Sequence, residues 1–137
     1  MMLVVGSCLA HPFRADARGT LATVSEPTAL VRQSVLSILS TRAGERVMMP
    51  DYGIPDLAFE VMDIGFAGRV AYFLEEQIRK YEPLVTEVRA SAGSMAGGGF
   101  DSRLSADAHL AAVRVQFRMR DTNAPHNLVF PLVEIRR

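Results

Sequence analysis

Residues 113–120, VRVQFRMR, alternate apolar and polar side chains without a break. Successive side chains of a strand leave opposite faces of a sheet, so Val113, Val115, Phe117 and Met119 share one face and Arg114, Gln116, Arg118 and Arg120 the other. A helix would scatter the same set around its circumference. The segment therefore predicts a strand with one face in a core and the other toward solvent or a partner. Residues 121–126 carry turn formers, and residues 127–135, NLVFPLVEI, predict a returning strand. Pro131 has no N–H to give to a ladder, which places this strand at a sheet edge or beside an irregularity. Folded proteins either cover such an edge or use it to accept another chain's strand.

Ahead of this hairpin the pattern is helical. Ser25-Glu26-Pro27 predicts a helix start: Ser can accept from unpaired amides, the acid suits the positive end of the dipole, and Pro fits the first turn. Val31, Val35, Ile38 and Leu39 then recur at helical spacing, with Arg32, Gln33, Ser37 and Ser40 on other faces, and Gly44 is the predicted cap. Residues 46–49 read as a short extended run, ended by Pro50 and an Asp51-Tyr52-Gly53 turn, and residues 54–62 as a weaker helical turn. A second helix is predicted between Gly65 and Tyr81, with Phe66, Val70, Phe73, Leu74 and Ile78 on one face, and Glu82-Pro83 ends it. Residues 84–92 have strand character, and the glycine-rich stretch 93–108 reads as a flexible connector or loop tip. Residues 1–24 form an N-terminal arm, extended from residue 11 with a turn at Arg18-Gly19, lying along the core surface. The expected fold is α+β: two main helices packed on a small, mainly antiparallel sheet with a C-terminal edge hairpin, in one domain spanning residues 1–137.

Composition narrows the function classes. Fifteen basic and fifteen acidic residues cancel, so no global field draws the chain to nucleic acid or to an anionic membrane. All the basic residues but Lys80 are arginine, a residue suited to planar ion pairs. Cys8, the single cysteine, has no partner for an internal disulfide. Residues 1–10 are apolar, but no basic residue precedes the short run, so the expectation is a buried or partner-bound segment rather than a signal peptide. His11, His109 and His126 lie in separate segments without metal-ligand spacing. There is no nucleophile elbow, phosphate loop or dinucleotide fingerprint, and no cofactor is expected. Glu45, Asp51, Asp56, Glu60 and Asp63 gather in the middle of the chain, yet glycoside hydrolysis needs two carboxylates set across one bond, and nothing in the sequence sets any two of these so.

Several blocks carry a resemblance. Gln33-Ser34-Val35, Ile38-Leu39-Ser40-Thr41, Gly44-Glu45-Arg46-Val47-Met48, Pro50 and Tyr52-Gly53 resemble the signature of the baseplate wedge and sheath-initiator proteins of contractile phage tails, shared with type VI secretion and extracellular injection systems. Pro12-Phe13-Arg14 with Asp16 and Gly19 resembles that family's opening, Glu82-Pro83 its Glu-Pro-Arg after the second helix, and Asn127 to Pro131 its closing strand. Leu84 departs from the pattern, standing where the family has Arg, so the resemblance implies a wedge contact that is either rebuilt through Arg79 or Arg89 or lost.

The resemblance implies a structural, non-enzymatic baseplate protein, six copies to a baseplate, in a virion tail assembled in the host cytoplasm. Its implied partners are the tail sheath protein, the baseplate wedge proteins, and tail-tube or hub proteins. Asn127, Leu128, Val129, Phe130, Pro131, Leu132 and Val133 would then bind a sheath strand, and Glu82 and Pro83 the wedge. Gly44, Glu45, Arg46, Pro50 and Gly53 would form a structural corner. A subunit of a type VI or extracellular injection system is the alternative, and a peptidoglycan hydrolase a more distant one.

Overall fold

The computed structural model describes residues 6–56, 64–103 and 110–132. Their elements are β1 (Cys8–Leu9), β2 (Thr23–Val24), α1 (Pro27–Ser40), α2 (Ile64–Tyr81), β3 (Val85–Ala96), β4 (Gly99–Asp101), β5 (Ala111–Met119) and β6 (Pro125–Pro131). Strands β3 to β6 form one antiparallel sheet in the order β4-β3-β5-β6, and β1 and β2 pair separately. Two helices with an antiparallel sheet are what the patterning predicts, and β6 lies at the sheet edge.

The alternation in β5 sets the core. Val113, Val115, Phe117 and Met119 are all buried on one face, where Phe66, Val70, Leu74 and Ile78 of α2 meet them and Val31, Val35, Ile38 and Leu39 of α1 complete the cluster. Each such side chain contributes about 1.5–3 kcal/mol by leaving water. Phe73 is only half-buried, at the margin of the α2 stripe, with its ring edge-on to Tyr72 at 5.5 Å. Glu75 ties α2 to the sheet by accepting from the Ala90 N–H at 3.0 Å and pairing with Arg79.

The caps differ from expectation. Glu26, not Ser25, caps α1: its carboxylate accepts from the Ala29 N–H at 2.6 Å and the Thr28 N–H at 3.0 Å, ahead of Pro27. These bonds, that from Ala29 foremost, hold the Glu26 carboxyl below its ordinary 4.5. A carboxyl lowered by folding stabilises above its unfolded value and loses that contribution as pH falls through the folded one. Glu26→Gln should therefore lower the unfolding midpoint at neutral pH, and the deficit should shrink as pH falls from 4.5 through the lowered folded value; a deficit independent of pH would assign it to something other than the charge. At its other end α1 stops at Ser40, short of Gly44. Thr41 turns extended there, and its hydroxyl donates to the Ser37 carbonyl at 2.7 Å, filling an acceptor the ending helix leaves free.

Two further segments depart from the sequence reading. Residues 46–49 form turns, with the Met49 N–H donating to the Arg46 carbonyl at 3.2 Å, rather than an extended run. The stretch expected to be a flexible loop from residue 93 is a hairpin up to Asp101: β3 continues to Ala96, Gly97 and Gly98 turn at positive φ, and β4 returns. The physical reason is Phe100, whose ring lies over Gly93 and stacks on the Arg114 guanidinium at 4.6 Å. Residues 104–109, with His109, lie outside the described residues, as do 57–63, which include residues 57–62 of the expected helical turn.

The arm folds back on itself. Asp16 accepts from the Thr20 hydroxyl at 2.7 Å and from the Thr20 and Arg18 amides, closing a turn through Gly19 that brings β1 to β2. Gln33 of α1 holds it, accepting from the His11 N–H at 3.1 Å and donating to the Leu9 carbonyl at 2.8 Å. Cys8 and Leu9 are exposed, and it is Ala10 that is buried.

Candidate partner-binding sites

The first site is the open edge of β6. Residues of an antiparallel ladder alternate between pairs that exchange both main-chain bonds and pairs that exchange none. At the hairpin end the Met119 N–H donates to the Ala124 carbonyl at 3.1 Å, while Asn123, at φ 54°, makes the bulge. Counting from there, the register makes Phe117 with His126, Val115 with Leu128 and Val113 with Phe130 the bonded pairs. The N–H and C=O groups of Asn127 and Val129, and the carbonyls of Pro125 and Pro131, then point away from β5, where no described strand lies. Both prolines thus fall where the missing N–H costs β5 nothing.

Side chains follow the same alternation. Phe130 is buried and Leu128 half-buried on the core face, with the Arg32 guanidinium 5.8 Å from the Phe130 ring centroid. Asn127 and Val129 sit on the outer face opposite Gln116 and Arg114. Leu132 is buried, and Val133 lies outside the described residues.

The second site joins the corner to Glu82 and Pro83. Gly44, at φ 87°, donates to the Pro50 carbonyl at 2.7 Å and closes the loop between them. Glu45 and Arg46 do not pair with each other. The Glu45 carboxylate accepts from the Arg42 N–H at 2.9 Å, whereas Arg46 lies 4.0 Å from the Tyr52 ring centroid and donates to Ser37 Oγ at 3.1 Å. Gly53 gives its N–H to Gln77 Oε1 at 3.0 Å, and Gln77 Nε2 returns a bond to the Asp51 carbonyl at 3.0 Å, so α2 clamps the turn. Glu82, 9% exposed, accepts from the Leu84 N–H at 3.1 Å. A groove of about 590 Å³ is lined by Arg46, Tyr52, Ser37, Glu82 and Pro83 together with His11 and Phe13 of the arm. Arg79 pairs with Glu75, Arg89 lies on the outer sheet face, and neither lines this groove; Arg46 does.

Pattern reading missed the tip of the corner. Val47 and Met48 are 93% and 91% exposed. Apolar residues fully in water on a pinned turn are a surface feature that one-dimensional periodicity cannot separate from a strand. It missed Gln33 and Gln77 as well, whose side-chain amides each bridge a distant backbone; an amide side chain, donor and acceptor at once on a helix flank, is the available signal.

The described carboxylates of the middle cluster are engaged in local structure. Asp51 lies 3.7 Å from Lys80 Nζ, Asp56 3.9 Å from Arg42 Nε, and Glu45 on its own turn; Glu60 and Asp63 lie outside the described residues. Among the described residues no histidine, cysteine and carboxylate group could hold a metal ion, and no helix is long and apolar enough to cross a membrane.

The fold defined by two helices on an antiparallel sheet is one that solved structures share. A candidate tail lysozyme from Geobacter sulfurreducens is 30% identical, with a TM-score of 0.53 over 79% of this chain and 91% of that one. A chain of the baseplate complex of the type VI secretion system is 21% identical, with a TM-score of 0.57 over 78% and 95%. A chain of the anti-feeding prophage baseplate, solved by cryo-EM with sixfold symmetrisation, is 20% identical, with a TM-score of 0.50 over 93% and 86%. No curated protein matches the chain. Residues 25–124 match the family described as baseplate wedge protein gp25, and the chain belongs to that family of structural baseplate components.

Proposed function

We propose that this protein is a sheath initiator with no catalytic role, joining the baseplate wedge to the tail sheath by accepting a sheath strand on β6. The observation that carries the reading is the open β6 edge, where the donors of Asn127 and Val129 and the neighbouring carbonyls face away from β5. Main-chain bonds supply affinity in strand addition and alternate side chains supply specificity. The groove holding Glu82, Pro83 and Arg46 is the wedge side, with Val47 and Met48 at its corner as contact residues. Six copies in one baseplate follow the sixfold symmetry of the anti-feeding prophage assembly. Such a protein belongs in the baseplate of a contractile tail built in the host cytoplasm.

Val129→Pro tests the reading. The Val129 N–H points away from β5, so the substitution removes an edge donor and leaves the β5–β6 ladder intact. Seeding of the cognate sheath protein, followed by light scattering, should fall about tenfold or more, with an unfolding midpoint close to wild type. Unchanged seeding by folded Val129→Pro would remove β6 from sheath initiation and leave a wedge adaptor.

A further inference from the structure

The outward positions of β6 run Pro125, Asn127, Val129, Pro131. Four acceptors face the open side, but among the described residues only Asn127 and Val129 donate, because the two flanking positions are prolines. An incoming chain finds a short central window of full pairing. Beyond it, at each end, its carbonyl faces a pyrrolidine ring and goes unbonded. The ladder to β5 gains nothing from these prolines, since their nitrogens point away from it, so their effect falls on whatever meets the edge.

Resting on the strand-addition reading above, we propose that Pro125 and Pro131 are length gates. They confine β6 to a short partner strand and keep two copies of this chain from joining edge to edge. Natural sheets blunt exposed edges with proline to prevent such association; here the bracket leaves a gap sized for one short segment.

The surroundings state the chemistry of that segment. Its core-facing side chain lies beside Leu128 and is apolar. Arg32, exposed on α1 and near the Phe130 ring, has no acidic partner among the described residues, so the matching strand carries a carboxylate on the same side. The occupant is a short, acid-bearing apolar segment of the sheath protein, and not a second copy of this chain.

The test compares wild type, Pro125→Ala/Pro131→Ala and the same pair with Val129→Pro. Sedimentation measures self-association, and titration with the purified sheath protein measures binding. Alanine restores an outward N–H at each end, so the double variant should bind sheath about tenfold tighter and should self-associate where wild type stays monomeric. Adding Val129→Pro should reverse both gains. Arg32→Glu should weaken sheath binding about fivefold or more at low salt; unchanged binding would overturn the acid-bearing partner. If the double variant matches wild type in both measurements while Val129→Pro alone still weakens binding, the length gate is wrong and strand addition stands. If Val129→Pro has no effect on sheath binding in either background, strand addition itself fails. Wild-type dimers that Val129→Pro dissolves would assign the edge to a second copy and overturn the proposal.

Discussion

Gly53→Ala is expected to cost about 2–6 kcal/mol of folding stability, the sum of about 1–3 for a strained backbone and about 1–3 for overpacking. At Gly53 φ is 106°, and an added Cβ would stand 2.4 Å from the Thr41 carbonyl oxygen and 2.8 Å from its carbon. Both obstacles are backbone, so no side chain can swing aside. Relief requires the chain after Tyr52 to move from the chain after Thr41. That parts the Ile54 N–H from the Thr41 carbonyl, 3.1 Å, and the Ala43 N–H from the Ile54 carbonyl, 2.8 Å. Tyr52 would shift as well, and with it the edge-on packing against Tyr81 at 5.1 Å and the cation site for Arg46. Urea unfolding should show a midpoint far below wild type, and hydrogen exchange should show the amides of Ala43 and Ile54 unprotected before the core opens. A loss under about 1 kcal/mol would mean that the corner relaxes more easily than its packing indicates.

Gly93→Ala is the second large effect, at about 2–4 kcal/mol from overpacking plus lost ladder bonds. Its added Cβ would meet the Asp101 carbonyl oxygen at 2.3 Å and the Phe100 ring at 2.4 Å. The conflict is steric and not conformational. β4 can escape only by leaving β3, which gives up the pairing of Ser94 with Asp101 and Met95 with Phe100 and frees the Phe100 ring from Arg114. The damage should be confined to that end of the sheet, visible as lost amide protection in β4 with the α2 core intact. Because β4 and β6 are opposite edges, sheath seeding by the folded fraction should stay at the wild-type level. A loss of seeding larger than the loss of folded protein would show that the β4 edge, too, takes part.

These two glycines mark where the sequence was legible and where it was not. Gly53 stands in a dense run of punctuating residues, and a turn there is predictable from local chemistry, though the carbonyl of Thr41 that forbids a Cβ is not. Gly93 looks like the start of a glycine-rich loop because nothing near it in sequence announces Phe100 as a ring packed over it. The alternation of β5 and the apolar stripes of α1 and α2 were legible because each is a local period imposed by one core. The end of α1 was misread at Gly44 because a hydroxyl, Thr41, had already satisfied a terminal carbonyl. At the edge, Pro131 was a readable sign, whereas the significance of Pro125 appears only once the register puts both prolines on the same outward row. The clamps made by Gln33 and Gln77 join residues far apart in sequence, and no local pattern predicts which carbonyl a side-chain amide will reach.

The pairing of β6 with β5 along its whole length also has a mechanical meaning. A chain bonded to the open edge and pulled along the strand direction loads the β5–β6 ladder in shear, so its bonds resist together. The same force applied across the strands would open them one after another, from an end. An attachment through β6 is therefore strong along one axis and weak across it, which makes the direction of pull, more than the number of bonds, the quantity that decides whether the joint holds.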